Sequence, residues 1–335
     1  DGSKLANLST NLENVMNNGN VCTNIAFFSN IIESIVVESN IKSNGDCIID
    51  SPLGASVIIG GVKPDDISSN TDRISIGSEA GQFAQATHSI AIGSRAGNMG
   101  QGMFSVSLGI QAGEMHQGSN AIALAYGAGN EGQNNFGVGI GYRSGVVGQG
   151  DYSVSVGTNV AVQEQGANSV AIGDLSAELK QGDYSVIIGR GTGANTQGDY
   201  SVAIGHEAAN VLQNTSSIAI GISAAKSNQG ETSIAVGNTA AYSNQGSNSI
   251  AIGFAAGYST QGNNSIAAGN LAAYLEQGSN SIAIGHSAGY SSQNNNSVAI
   301  GFESGKNFQV EQVFAIGYQA GIDNTSQYAT VIGQQ

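Results

Sequence analysis

The stretch SIAIG at residues 249–253 decides the fold, because it recurs every sixteen residues as SIAAG at 265–269, SIAIG at 281–285 and SVAIG at 297–301. The last position of the motif occurs 17 times, from Gly77 to Gly333, and it is glycine every time except at Ala125. No insertion or deletion interrupts the series. A fixed period over this length is typical of a solenoid, in which each turn stacks on its own copy.

Other columns share this period and complete the repeat unit S-[IV]-A-[IV]-G-x-x-A-[GA]-x-x-x-Q-G-x-[N/Y]. One column holds a small residue, from Ala80 to Ala320, and is followed by Gly or Ala. Another holds glutamine at fifteen successive positions: Gln85, Gln101, Gln117, Gln133, Gln149, Gln165, Gln181, Gln197, Gln213, Gln229, Gln245, Gln261, Gln277, Gln293 and Gln309. A repeated amide can bond to its copies above and below, or to the backbone of its own corner. Both interpretations give the glutamines a structural role.

The alternation of large and small residues in SIAIG predicts a short strand that ends where the glycine adopts a positive φ. The Gln-Gly pair predicts a second corner. We therefore expect an all-β fold over residues 73–335, a parallel β-roll solenoid of about 17 coils of sixteen residues. At a strand spacing of about 4.8 Å the roll is roughly 80 Å long.

The composition excludes several classes of protein. The chain has 49 glycines and 2 prolines, 10% charged residues and a formal net charge of −14. Disorder needs more charge or proline, and a collagen helix needs glycine at every third residue. The sequence has no apolar run long enough for a membrane span, and no excess of basic residues for nucleic acid. We therefore expect no membrane insertion and no nucleic-acid partner.

The two faces of the repeated strand predict self-association. Ile250 and Ile252 point to one side and Ser249 and Ala251 to the other, and neither side is charged along most of the repeat. A single roll has one inside and one outside, and an outside in water should be polar. We therefore expect the second face to be buried in a homo-oligomer.

The S-V-A-I-G…A…G pattern over residues 73–335 resembles the YadA-like head of trimeric autotransporter adhesins. The resemblance implies a homotrimer of left-handed parallel β-rolls, displayed outside the cell, that binds a host surface glycan or protein. The chain differs from those heads in its longer period and in its glutamine column.

The N-terminal part is expected to differ from the roll. Leu5, Leu8, Leu12 and Val15 have coiled-coil spacing, which predicts a helical trimerisation stub over residues 1–19. Residues 20–72 predict a β-rich shaft and connector, with strands at 24–28, 34–37, 47–49 and 57–59. Cys22 and Cys47 are compatible either with a disulfide or with two free thiols.

This stub and shaft are similar to the shafts of phage and large-DNA-virus fibres. That similarity implies a place on the virion surface, with other virion proteins bound at the N-terminus. The expected function is therefore a viral fibre or spike for host attachment. The alternatives are a bacterial adhesin head and an ice-binding solenoid.

The sequence offers only a few candidate ligand-binding residues. Tyr242, Tyr258, Tyr274 and Tyr290 share one column on four successive coils, and stacked tyrosines serve either as packing or as a platform for sugars or proteins. The four histidines are dispersed, so we expect no metal site. No catalytic motif, phosphate loop or cofactor pattern is present, so we expect a protein that is not an enzyme and has no cofactor. A glycan-degrading enzyme would need an acidic pair in a groove, whereas the acidic residues here are scattered.

Overall fold

The structure is a computed structural model that describes residues 56–59, 72–307, 310–323 and 326–334. All of them belong to one compact unit, residues 50–335. The described residues contain strands and turns but no helix, and the strands form two parallel sheets. The predicted stub at residues 1–19 and the predicted strands at 24–28, 34–37 and 47–49 lie outside the described residues.

The strands are numbered here in chain order. The first sheet contains 18 of the described strands: β1 (Ser56–Ile59), β2 (Arg73–Ile76), β3 (Ile90–Ile92), β4 (Val106–Leu108), β5 (Ile122–Leu124), β6 (Val138–Ile140), β8 (Val154–Thr158), β10 (Val170–Asp174), β12 (Val186–Arg190), β14 (Val202–Ile204), β16 (Ile218–Ile220), β18 (Ile234–Val236), β20 (Ile250–Ile252), β22 (Ile266–Ala268), β24 (Ile282–Ile284), β25 (Val298–Ile300), β26 (Phe314–Ile316) and β27 (Thr330–Ile332).

The second sheet contains nine described strands: β7 (Val147–Gln149), β9 (Gln163–Gln165), β11 (Lys180–Gln181), β13 (Thr196–Gln197), β15 (Leu212–Gln213), β17 (Ser227–Gln229), β19 (Ser243–Gln245), β21 (Thr260–Gln261) and β23 (Glu276–Gln277). Single parallel bridges, from Phe83–Met99 to Glu131–Val147, continue it towards the N-terminal coils. One coil therefore contributes one strand to each sheet, and two turns join the strands.

From β2 onwards, each paired strand residue of the roll lies opposite the residue sixteen positions away. Ile250 pairs with Ile266, and Gln261 pairs with Gln277. The same offset runs through the first sheet from β2 to β27, which confirms the parallel solenoid of sixteen-residue coils. Strand β1 joins the same sheet in parallel, with Ser56 paired to Arg73 and so an offset of one residue more.

The glycine column ends the first strand at a positive φ, as predicted. The φ of Gly253 is 130°, and that of Ala125 is 97°. A Cβ at Gly237 would lie 2.8 Å from the carbonyl carbon of Gly253. Because each coil presses its backbone on the next at this corner, a side chain in this column is unfavourable for a steric reason as well as a conformational one.

Small and polar side chains fill the inside of the roll. Ser249, Ala251, Ala256 and Gln261 are all buried, whereas Ile250 and Ile252 lie on the outer face of the first sheet. The two sheets of one coil are therefore joined by a core of Ala, Ser and Gln.

One coil shows how tightly this core is filled. Ile187 stands where most other coils have Ala or Ser, and it is fully buried. Gly193 lies opposite it, and a Cβ there would be 2.5 Å from the Ile187 Cδ1. The larger side chain therefore occupies the space that the missing Cβ leaves.

Candidate functional site

The glutamine column runs along the inside of the second sheet and bonds in both of the ways considered above. The Gln261 Nε2 donates to the Ile250 carbonyl at 2.7 Å and to the Gln277 Oε1 at 3.1 Å. The Gln261 Oε1 accepts from the Gln245 Nε2 at 3.2 Å. Each such amide ties its own two strands together and also ties its coil to the neighbouring coils. Gln309 lies outside the described residues.

The amide-to-amide bonds form separate runs. They join Gln101 to Gln149, Gln165 to Gln181, Gln197 to Gln213 and Gln229 to Gln293. The first member of each run has a buried Oε1 without a hydrogen-bond donor: Gln101, Gln165, Gln197 and Gln229. Because the glutamine column is uniform, these interruptions could not be predicted from the sequence.

The outer face of the first sheet is an apolar stripe. It is made of Ile74 and Ile76 in β2 and of the first and third residues of each later strand of this sheet up to β26. All of these residues are aliphatic or aromatic. Ile252 is 46% exposed and Ile284 is 39% exposed. Monomeric proteins rarely expose an apolar patch that is larger than a few hundred Å², and this stripe runs along the first sheet from β2 to β26.

The predicted tyrosine column forms a continuous stack. The rings of Tyr242, Tyr258, Tyr274 and Tyr290 follow one another with centroids 5.0 Å apart. All four side chains are half-buried. Packing of the coils therefore uses most of the ring faces, and the outer edges and hydroxyl groups are the parts that a ligand could reach.

A lysine stands at each end of this stack, in the same column. The Lys226 Nζ lies 5.6 Å from the centre of the Tyr242 ring and donates to the Glu207 carboxylate at 2.8 Å. This hydrogen bond lowers the pKa of Glu207 and raises the pKa of Lys226. At the other end Lys306 pairs with Glu303 and lowers the pKa of that carboxyl in the same way. Both pairs are partly exposed.

Stacked aromatic pairs mark a second column, at the turn that precedes the first strand. The pairs are His88–Phe104, Phe136–Tyr152 and Tyr184–Tyr200, with centroids 4.7–5.2 Å apart. More than half of the Tyr152, Tyr184 and Tyr200 side chains is exposed. These aromatic side chains are more accessible than the tyrosine stack on which the sequence placed its candidate site.

The described residues contain no cluster that could hold a metal ion. No three His, Cys, Asp or Glu side chains come together there. His206 contacts Arg190, and His286 stacks on Phe302 at 5.1 Å. The serine column is buried, so its hydroxyl groups present no regular array to ice. Within the same residues no helix has the length and apolar character needed to cross a bilayer.

Two concave sites lie on the turn that follows the first strand, at Gly127 and Gly191. The Gly127 notch has a volume of about 280 Å³ and the Gly191 notch about 210 Å³. Both glycines lie in the column two residues after the strand-ending residue, where other coils carry a side chain. Sequence reasoning missed both notches, although these two glycines are the glycine substitutions in that column between residues 79 and 319.

Comparison with known families agrees with this geometry. The family model for the YadA head domain repeat matches the chain in two copies, over residues 191–208 and 277–304. The roll is YadA-like. The matched segments contain the strand and turn positions of the repeat and cover a small part of the chain. No curated protein gives a significant match.

A YadA-like roll fits a structural, adhesin-like protein displayed at a surface. Its described part offers a rigid scaffold, an apolar stripe, aromatic columns and two notches. Such features suit self-association and binding.

Proposed function

We propose that the chain forms a homotrimeric spike that presents rigid YadA-like rolls for attachment to a host surface. The observation that carries the proposal is the apolar stripe on the outer face of the first sheet. The simplest way to remove this stripe from water is to pack it against the same stripe of other copies of the chain. Three rolls then place their first sheets around a common axis. We also propose that the coils of each roll are left-handed, as in YadA heads.

The surface role rests on the stiffness of the roll and on the number of its copies. Seventeen stacked coils hold any binding group far from the attachment point, at a constant distance from it. Three copies that each bind weakly then bind together with much higher avidity. The proposed ligand is a surface glycan or protein, and the outer edge of the column of Tyr242, Tyr258, Tyr274 and Tyr290 is one proposed contact.

The proposal places the spike on a virion or elsewhere outside the cell. Residues 1–19 then trimerise, residues 20–72 connect, and virion proteins bind the N-terminal end. The alternative is the head of a bacterial trimeric adhesin, and the match to the YadA head repeat is the observation that favours it. Neither reading requires an enzyme activity or a cofactor.

The mass of the chain in solution tests the assembly. Light scattering at low concentration should give about three times the chain mass of 33.8 kDa. A stable monomer contradicts the proposal.

Attachment is tested separately. The labelled trimer is applied to an array of cell-surface glycans and glycoproteins, and binding above that of an unrelated trimeric rod is expected. If the trimer binds none of them, the proposed assembly stands but the proposed attachment function is wrong.

A further inference from the structure

The Gly127 notch exists because one side chain is missing from a column that tolerates side chains. Residues in this column adopt a positive φ whatever their type, for example 59° at Gln111, 51° at Arg143 and 53° at Leu175. Gly127 has a φ of 61°, and a Cβ there would meet only the Arg143 Cγ, at 3.6 Å. The backbone therefore does not require glycine at this position. The missing side chain leaves a cavity of about 280 Å³, near the lower end of the range for small-molecule sites.

The walls of the notch combine aromatic and hydrogen-bonding groups. Tyr126 and Tyr142 are stacked with centroids 5.4 Å apart, and about half of each side chain is exposed. Gln111, Asn130 and Val146 complete the lining next to Gly127 and Arg143. None of these residues belongs to the apolar stripe. The phenol groups and the amide oxygens around this shallow cavity suit the hydroxyl groups of a sugar.

Arg143 supplies the charge of the notch, and it is the sole charged residue of the lining. Within the described residues its guanidinium has no carboxylate or carbonyl partner, whereas Arg95 pairs with Glu79 and Glu114. The nearby Glu114 carboxylate is already engaged by Arg95, Gln111 and Asn130. An arginine without a partner is available for bidentate binding of an anion.

The Gly191 notch provides an internal comparison. It has the same origin, but Arg190 pairs there with Asp174 at 3.3 Å, and Glu178 and Glu207 line the cavity. No aromatic side chain other than His206 lines it. The same backbone shape is therefore present without the unpaired cation and without the tyrosines.

We propose that the Gly127 notch binds a carboxylated sugar unit, such as a uronic acid or a sialic acid, through its carboxylate on Arg143 and its hydroxyl groups on the tyrosines and amides. This inference rests on the proposed attachment function and names a ligand class for it. A planar carboxylate matches the fork of a guanidinium, and a sugar ring matches the size of the cavity.

The test is a saturation-transfer NMR titration of the purified full chain with glucuronic acid, N-acetylneuraminic acid, glucose and inorganic phosphate. At least one of the two acidic sugars should bind at least tenfold more tightly than glucose and phosphate. Equal binding of glucose removes the role of Arg143, and equal binding of phosphate makes the notch a general anion site. Either result, or no binding of either acidic sugar, overturns the proposal.

Variants taken from the same column locate the binding. Gly127→Leu fills the notch with a residue that the column already carries at Leu175, and Arg143→Gln uses the residue found at Gln111. Each should weaken binding of the acidic sugar about tenfold or more. Gly191→Leu is the matched control and should leave it unchanged. Unchanged affinity in Gly127→Leu, with an unaltered melting temperature, overturns the proposal.

The attachment assay separates this inference from the function on which it rests. If the trimer attaches to the glycan and glycoprotein array and Gly127→Leu attaches equally well, the notch assignment fails and the attachment function stands. If the trimer attaches nowhere while free acidic sugar binds at the notch, the attachment function fails.

Discussion

At the residue scale, the strand-ending glycine meets two demands at once. Its φ near 130° is one that residues with a Cβ adopt only with strain, and its α-carbon lies against the backbone of the next coil. Ala125, which has a Cβ, adopts a φ of 97° instead. The glycine two residues later, at Gly127, meets neither demand, which is why a functional reason is proposed for it.

The glycine column therefore gives a prediction about stability. Gly237→Ala should lower the free energy of unfolding by about 1–3 kcal/mol, because the new Cβ would press on the Gly253 backbone and strain φ. Thr239→Ala lies in the same coil, in a column that already holds Ala255, and should change stability by less than about 0.5 kcal/mol. Thermal unfolding followed by circular dichroism measures both. Equal effects would show that the corner has room for a side chain.

At the element scale, the glutamine column stabilises the contact between coils. Each buried amide bonds to the carbonyl of the opposite strand, and most also bond to the amide of the next coil. A buried amide or carbonyl left without its partner costs about 1–3 kcal/mol. We infer that the ladder replaces the large apolar core that this narrow roll does not contain.

The runs of the ladder allow a graded test. Gln261→Met removes two bonds of the ladder, the one from the Gln245 Nε2 and the one to the Gln277 Oε1, whereas Gln213→Met removes only the bond from the Gln197 Nε2. Both variants lose a bond to a strand carbonyl. Gln261→Met should therefore destabilise the roll by about 1 kcal/mol more than Gln213→Met does, as measured by denaturant unfolding. A smaller loss in Gln261→Met than in Gln213→Met would refute the ladder.

At the scale of the whole molecule, the apolar stripe decides the assembly. Charged residues are scarce because the inside of each coil is closed by Ala, Ser and Gln, and the outer face of the first sheet carries Ile, Val and Leu. The outward side chains of the second sheet include Lys180 and Glu276, so that sheet can face water. The two sheets of the roll therefore have different proposed neighbours.

Lysines placed on the two sheets should have opposite consequences. The triple variant Ile220→Lys, Ile252→Lys and Ile284→Lys puts charges on the stripe and should convert the trimer to monomers, because unpaired charges in an apolar interface are strongly unfavourable. The control Asn228→Lys, Asn244→Lys and Thr260→Lys puts three charges on the second sheet, at exposed positions, and should remain trimeric. Light scattering over a dilution series measures the mass of each variant in solution. Trimers in both variants would place the interface elsewhere.

The period of sixteen, the parallel pairing and the glycine corner could all be predicted from the sequence, because each depends on steric demands that every coil repeats. The sequence also showed that SIAIG has two uncharged faces, with Ile250 and Ile252 on one side and Ser249 on the other. The repeated motif was enough to indicate the YadA-like roll. The resemblance, rather than the pattern itself, supplied the expectations about the trimer and the hand of the coil.

Only the tertiary structure decided which features reach the surface. It turned Ile252 outwards, divided the glutamines into runs, half-buried the stack of Tyr242 to Tyr290 and opened a notch at Gly127. Each of these depends on contacts between residues that are sixteen positions apart or lie on opposite strands of a coil. A regular repeat determines its own coil, whereas a cavity or an exposed ring is made by how one coil departs from its neighbours.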